Sequence, residues 1–158
     1  YEEAMRVPFM ISWGDKLSPR VDQDLLLSVE DFCPTILSLM GLEEKIPSSV
    51  QTRNLSKQIL GSREDMPEYQ LYMLYSQVDA TGKNPETGAR GIRNERYTYA
   101  VRFKEGEITG EYLFDRKHDP YQMNNLAGKE IKLAGKLRKA LVQMLADAED
   151  PAYAVFSR

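Results

Sequence analysis

The chain has 158 residues, 42% hydrophobic and 28% charged, which suits one domain with a core, or a small domain plus part of another, and not a disordered segment. Its formal net charge of −3 gives no concentrated basic surface, so neither nucleic acid nor an anionic membrane is expected as a partner. A single cysteine rules out an internal disulfide and a Cys-rich zinc site, and no apolar run approaches the ~20 residues of a membrane helix.

The chain opens on YEEAMRVPFM, which is acidic first and only briefly apolar, unlike a signal peptide. It starts at Tyr1 rather than at a methionine, just ahead of an apparent strand, and is expected to be a piece of a longer protein. VPFMISW, 7–13, is β-prone and nearly all apolar, the pattern of a strand buried on both faces of a parallel sheet. Such a strand needs cover on both sides; left bare, it would favour self-association. After the loop 14–20, DLLLSV, 24–29, is a second strand candidate, with helix as the alternative.

VEDFCPTILSLMG, 29–41, then predicts a helix. Asp31 can cap it, Pro34 falls in the first turn where its missing N–H matters least, and Gly41 ends it. Phe32, Ile36, Leu39 and Met40 share its expected core face, with Cys33 read as a buried small residue. A short helix, 55–61, closed by Gly61, follows a loop. SREDMPE, 62–68, marks a boundary, giving domains 1–65 and 66–158.

Beyond it, YQLYMLYSQV, 69–78, reads as a strand. DATGKNPETGARG, 79–91, holds three glycines and a proline and predicts a long loop. IRNERYTYAVRF, 92–103, suits a hairpin or one long strand; KEGEITG is a turn; EYLFD, 111–115, is a strand; RKHDPYQMNNLAG is a polar loop. From 129 to 149, Ile131, Ala134, Leu137, Leu141, Met144, Leu145 and Ala148 recur at helical spacing, one amphipathic helix. PAYAVFSR is a tail. The fold class is thus the end of an α/β domain followed by an α+β subdomain, a small antiparallel sheet packed against a C-terminal helix.

Chemistry is sparse. Composition permits a Cys33/His118 pair, but the first reads as helix core and the second as a surface turn. Asp22/Asp24 and Glu43/Glu44 lack calcium-loop spacing, and no phosphate loop occurs, so neither a catalytic residue nor a metal ligand is assigned. The 79–93 region concentrates Lys83, Asn84, Arg90 and Arg93, which match the geometry of sulfate, phosphate or carboxylate; the alternative is an exposed loop with ordinary surface charge.

Three segments, in order, resemble the sulfatase family of the alkaline-phosphatase-like superfamily. YEEAMRVPFMISWGDKL is similar to a stretch in which an acidic YEE leads through RVPF into a core strand. LLLSVEDFCPTILSLMGL is similar to the segment VS-x-VD-x-x-PT-x-L-x-L-x-G. NERYTYAVRF with EYLFDRKHDPYQMNNLAG is similar to the C-terminal R-Y-K-Y…LYDL-x-x-DP-x-E-x-x-NL. The resemblance implies the C-terminal portion of an enzyme that hydrolyses sulfate esters with a formylglycine nucleophile and bound calcium. It also implies an exported, periplasmic, extracellular or lysosomal setting. The nucleophile motif C/S-x-P-x-R is absent: Cys33 is followed directly by Pro34, Thr35 and Ile36. Calcium and formylglycine are therefore expected in an N-terminal catalytic region outside this chain, and the chain alone is expected to be inactive. The implied partners are that region and a sulfated small molecule or glycan, with Lys83, Asn84, Arg90 and Arg93 as candidate contacts. The rival readings are another phosphohydrolase of the superfamily and a non-catalytic binding or assembly module.

Overall fold

The computed structural model describes residues 5–78 and 85–157, and side chains outside 75–86. Two compact units divide the chain, one formed by Val7–Gln70 and the other carrying Leu71 onward.

Apart from Gln70, where β1 begins, the first unit contains no strand among its described residues. The strands expected at 7–13 and 24–29 are not formed: VPFMISW runs without regular structure, and so does the stretch from 24 to the 3-10 turn Val29–Asp31, where the Leu27 N–H turns back to the Leu25 carbonyl. A strand is stabilised by ladder partners and covered faces, and this unit offers neither. Met10 is 92% and Val7 75% exposed. Phe9 instead meets Phe32, ring centroids 4.9 Å apart.

Helix α1, Phe32–Leu39, has Pro34 in its first turn and Gly41 at φ +70 beyond its end, as the sequence suggests, but Asp31, at the N-cap position, makes no side-chain capping bond to it. Its buried face is different from the expected one. Pro34, Thr35 and Leu39 turn inward, whereas Ile36 and Met40 are exposed and so is Cys33. The reason is polar. Asp31, 1% exposed, accepts the Ser28 N–H at 3.1 Å and pairs with Arg53 through Oδ2 at 2.7 Å. Arg53 also donates to the carbonyls of Leu26 and Tyr69. Thr35 Oγ1 accepts the Leu55 N–H at 2.9 Å. These bonds fix the rotation of α1, and the apolar stripe read from spacing loses to them. Helix α2, Ser56–Ile59, is followed by Gly61 at φ +108.

The second unit holds a four-stranded sheet in the order β1 (Gln70–Val78), β2 (Pro85–Arg93), β3 (Tyr97–Lys104), β4 (Glu107–Asp115). β3 pairs antiparallel with both neighbours, with a register shift at Arg102/Phe103. The β3–β4 link is a two-residue turn in which Glu105 and Gly106 both have positive φ, the conformation that matches strand twist in a hairpin. The long loop expected over 79–91 is a strand from Pro85. Its glycines answer close approach rather than turning: a Cβ on Gly88 would lie 2.5 Å from the Leu74 carbonyl, and one on Gly91 2.3 Å from the Tyr72 ring.

Helix α3, Ile131–Asp147, lays Ala134, Leu137, Leu141 and Leu145 on one face of the sheet, against β2 and β3. Tyr99, Val101, Phe103, Ile92 and Leu113 are its buried counterparts. The presumed tail forms helix α4, Tyr153–Phe156, and buries Ala152 and Phe156, whose ring meets Phe103 edge-on at 5.8 Å.

Arg90 lies inside this core at 0% exposure. Its Nε donates to Asp150 Oδ2 at 2.7 Å and its Nη2 to Oδ1 at 3.0 Å, a two-pronged ion pair. Asp150 Oδ1 also accepts the Ala152 N–H at 2.7 Å, so the same carboxylate seats the start of α4.

The DRKHDPYQMNNL segment is a turn held by its own side chains. Asp115 binds Arg96 Nη2 at 2.7 Å and His118 Nδ1 at 2.9 Å. Asp119 accepts the N–H groups of Met123 and Asn124, and Asn125 Oδ1 accepts that of Leu113 at 2.9 Å. The hydrogen bond from Arg96, then that from His118, holds the Asp115 carboxyl well below its ordinary 3.8.

Two predictions follow from these contacts. Asp150→Ala leaves a buried guanidinium unpaired and costs about 3–5 kcal/mol, read as a fall in denaturant midpoint, whereas Arg90→Met with Asp150→Leu costs much less. The Asp115 carboxyl, being depressed in the folded state, contributes stability that is present above its ordinary value and lost as pH falls below about 4. Asp115→Asn therefore lowers the thermal midpoint at pH 7, and its difference from wild type shrinks on acidification.

Candidate functional site

The sheet face opposite α3 follows from the register. Residues paired across strands share a face, so Arg93, Thr98 and Phe114 form one row, Gly91, Ala100 and Tyr112 the next, and Ala89, Arg102 and Gly110 a third. Small residues in these rows leave room for rings. Tyr72 lies over Gly91, and a Cβ on Gly110 would meet the Tyr112 hydroxyl at 2.9 Å. Arg102 places its Cζ 5.2 Å from the Tyr112 ring centroid, and Tyr112 stacks with Phe114 at 6.4 Å. Burial pushes the Tyr72 phenol up to about 12, with the nearby Arg102 opposing it. The phenol is thus neutral at pH 7, and charge on this face comes from its arginines.

Ala89, Thr98 and Ala100 are buried here, and what the face leaves accessible is the exposed Arg102 with the half-buried Arg93, Tyr112 and Phe114, cations and aromatic rings. That is a set able to hold an anionic or sugar-like group, through guanidinium–oxyanion bonds and ring contacts. It supplies no nucleophile. Cys33 belongs to the other unit, and His118 Nδ1 is engaged by Asp115. Among the described residues, no group of three or more His, Cys, Asp or Glu is placed to hold a metal ion.

The four residues singled out from the sequence do not share one setting. Lys83 and Asn84 lie outside the described residues. Arg93, half-buried, stands at the end of β2 on the face just described. Arg90 is on the α3 side, its guanidinium committed to Asp150. Strand alternation separates the two arginines. Position 90 is an even number of residues from Ile92, which packs in the core, and position 93 is an odd number away. Arg102, Tyr112 and Phe114 were not singled out. The signal was present: in YTYAVRFK, Arg102 takes the phase opposite to Tyr99, Val101 and Phe103.

The family model described as N-sulphoglucosamine sulphohydrolase, C-terminal, matches residues 1–149. An endo-4-O-sulfatase of Bacteroides thetaiotaomicron is 38% identical over 162 residues, covering 97% of this chain and 32% of that protein. An ulvan-active sulfatase of Formosa agariphila is 32% identical, covering 91% of this chain and 28% of its own. Among solved structures, the yidJ protein of Bacteroides fragilis superposes with a TM-score of 0.80 at 36% identity, over 92% of this chain and 30% of that one. A phosphonate monoester hydrolase of Agrobacterium radiobacter, 20% identical with a TM-score of 0.52 over 77% of this chain and 24% of its own, shares the fold. The chain thus spans about 30% of the length of the sulfatases it matches. It belongs to the N-sulphoglucosamine sulphohydrolase C-terminal family, and corresponds to the C-terminal portion of a sulfatase.

Proposed function

We propose that the protein to which this chain belongs hydrolyses sulfate esters on an anionic glycan, and that this portion shapes and positions the substrate side without performing the chemistry. The observation that carries the reading is a pairing. The chain aligns over 97% of its length with an endo-4-O-sulfatase, yet contains no C/S-x-P-x-R from which a formylglycine could be made. The nucleophile and calcium belong, on this reading, to the remaining N-terminal region. When bound there, the metal would neutralise charge on the sulfate oxygens. The residues of this chain would orient the sugar and exclude water around it.

Arg93 is the first contact assigned to an anionic substrate, with Lys83 and Asn84 as companions. Its strand is anchored from the other face by the Arg90–Asp150 pair, so Arg90 acts as a positioning residue. The exposed apolar side chains of Val7, Met10 and Trp13 support a second role, docking against the catalytic region. Without that cover, the isolated chain would self-associate. The family resemblance further supports an exported setting, periplasmic, extracellular or lysosomal.

In the full-length protein, Arg93→Ala raises KM for a sulfated oligosaccharide on the order of tenfold and leaves kcat nearly unchanged, the pattern of lost ground-state contact. Steady-state sulfate release checks this, and an unchanged KM would remove Arg93 from the substrate side. The 158-residue chain alone, supplied with calcium and an aryl sulfate, releases no sulfate. Turnover by that chain would overturn the division of labour.

A further inference from the structure

The outer side of α3 carries a charge pattern that helix stability does not explain. From 129 to 146 there are five cations, Lys129, Lys132, Lys136, Arg138 and Lys139, against the single carboxylate of Glu130. The segment is net positive by four, in a chain whose formal charge is −3, so overall acidity hides a local basic row. Lys129, Lys132, Lys136 and Lys139 are all exposed. At about 100° per residue, the three helical lysines fall within an arc of about 60°, and at about 1.5 Å rise they extend over roughly 10 Å. Among the described residues, no ion pair is recorded for any of the four.

The arrangement works against the helix. Cations crowd its N-terminal half, with no acid in the first turn and no base in the last, the reverse of what the macrodipole favours. Lys132/Lys136 and Lys136/Lys139 are like-charge neighbours at i,i+4 and i,i+3. A row that costs stability, without local partners, fits a charged ligand from outside.

We propose that this face of α3 is a docking surface for a sulfated polysaccharide chain, distinct from the Arg93 face of the sheet. This rests on the sulfated-glycan reading above. A flexible polymer with repeated sulfates matches an open row of ammonium groups, each a compact point charge needing no fixed fork geometry. A bilayer suits it less, because Leu137, Leu141 and Leu145 of α3 are buried, and a single exposed large apolar side chain, Ile131 at the start of the helix, is too little to insert. Single-stranded nucleic acid suits it less too, since no aromatic side chain stands among the lysines to stack a base.

The test uses full-length protein, wild type and a Lys132→Gln, Lys136→Gln, Lys139→Gln variant. Removing like charges relieves repulsion, so the variant keeps or raises its melting temperature. On immobilised heparin eluted with a NaCl gradient, the variant should leave at clearly lower salt, with about tenfold weaker binding in solution. Desulfated heparin should bind both proteins weakly. KM for a polymeric sulfated substrate should rise, while kcat/KM for a short aryl sulfate stays unchanged. Equal elution of the two proteins would overturn the proposal. So would an equal lysine-dependent loss of binding to DNA or to phosphatidylserine vesicles, which would assign the face to another class of partner. If the full-length protein hydrolyses no sulfate ester, the functional reading above fails, and the heparin measurement still decides the docking face.

Discussion

The Arg90–Asp150 ion pair is the contact on which the C-terminal unit depends. Asp150 stands just past the end of α3, where Glu149 takes a positive φ and the Asp150 N–H returns to the Leu145 carbonyl. Its carboxylate holds the start of α4 through Ala152 and reaches β2 through Arg90. One side chain pair therefore joins the main helix, the terminal helix and an inner strand. Both charges are out of water, so neither can lose its partner without a large desolvation cost. The guanidinium also lies 5.5 Å from the Phe103 ring centroid, inside the aromatic contact that Phe156 completes.

The two units differ in how they are held. The second has a sheet with a helix on one face and buried apolar side chains from Ile92 to Phe156. The first, Val7–Gln70, buries only Pro34, Leu39, Leu55 and Ile59 as apolar residues among those described, while Val7, Met10, Val21, Val29 and Met40 are exposed. Its order comes from polar ties centred on Asp31 and Arg53. Buried polar networks specify one geometry well, yet contribute modestly to stability compared with apolar burial. On the proposed function, this unit is the seam of the longer protein, and the sheet-and-helix unit is a subdomain with a core of its own.

Much of the second unit was legible from spacing. The period of Ala134, Leu137, Leu141 and Leu145 located α3, and alternation in IRNERYTYAVRF marked a hairpin or one long strand where the end of β2 and β3 stand, because these elements bury one face. What escaped notice had identifiable causes. The glycines of TGARGIR were read as turn formers, although here they make room for Tyr72 and for the Leu74 carbonyl, contacts made by residues far off in sequence. VPFMISW has strand composition, but a strand is a property of pairs, and no partner is formed in its unit. Cys33 and the rotation of α1 were misread because Asp31 and Thr35, polar residues, turned out to be the inward ones. Of the candidate site, residue type flagged both Arg90 and Arg93. Only pairing register could send one to the core and the other to the opposite face.

The division between a self-sufficient subdomain and an incomplete seam is open to direct measurement by amide hydrogen exchange, comparing the isolated chain with the full-length protein. The backbone of β3, β4 and α3 should show closely similar protection in both. Residues 7–13 should exchange rapidly in the isolated chain and slowly in the full-length protein. Equal protection of 7–13 in the two, or loss of protection across β3, β4 and α3 in the isolated chain, would contradict it.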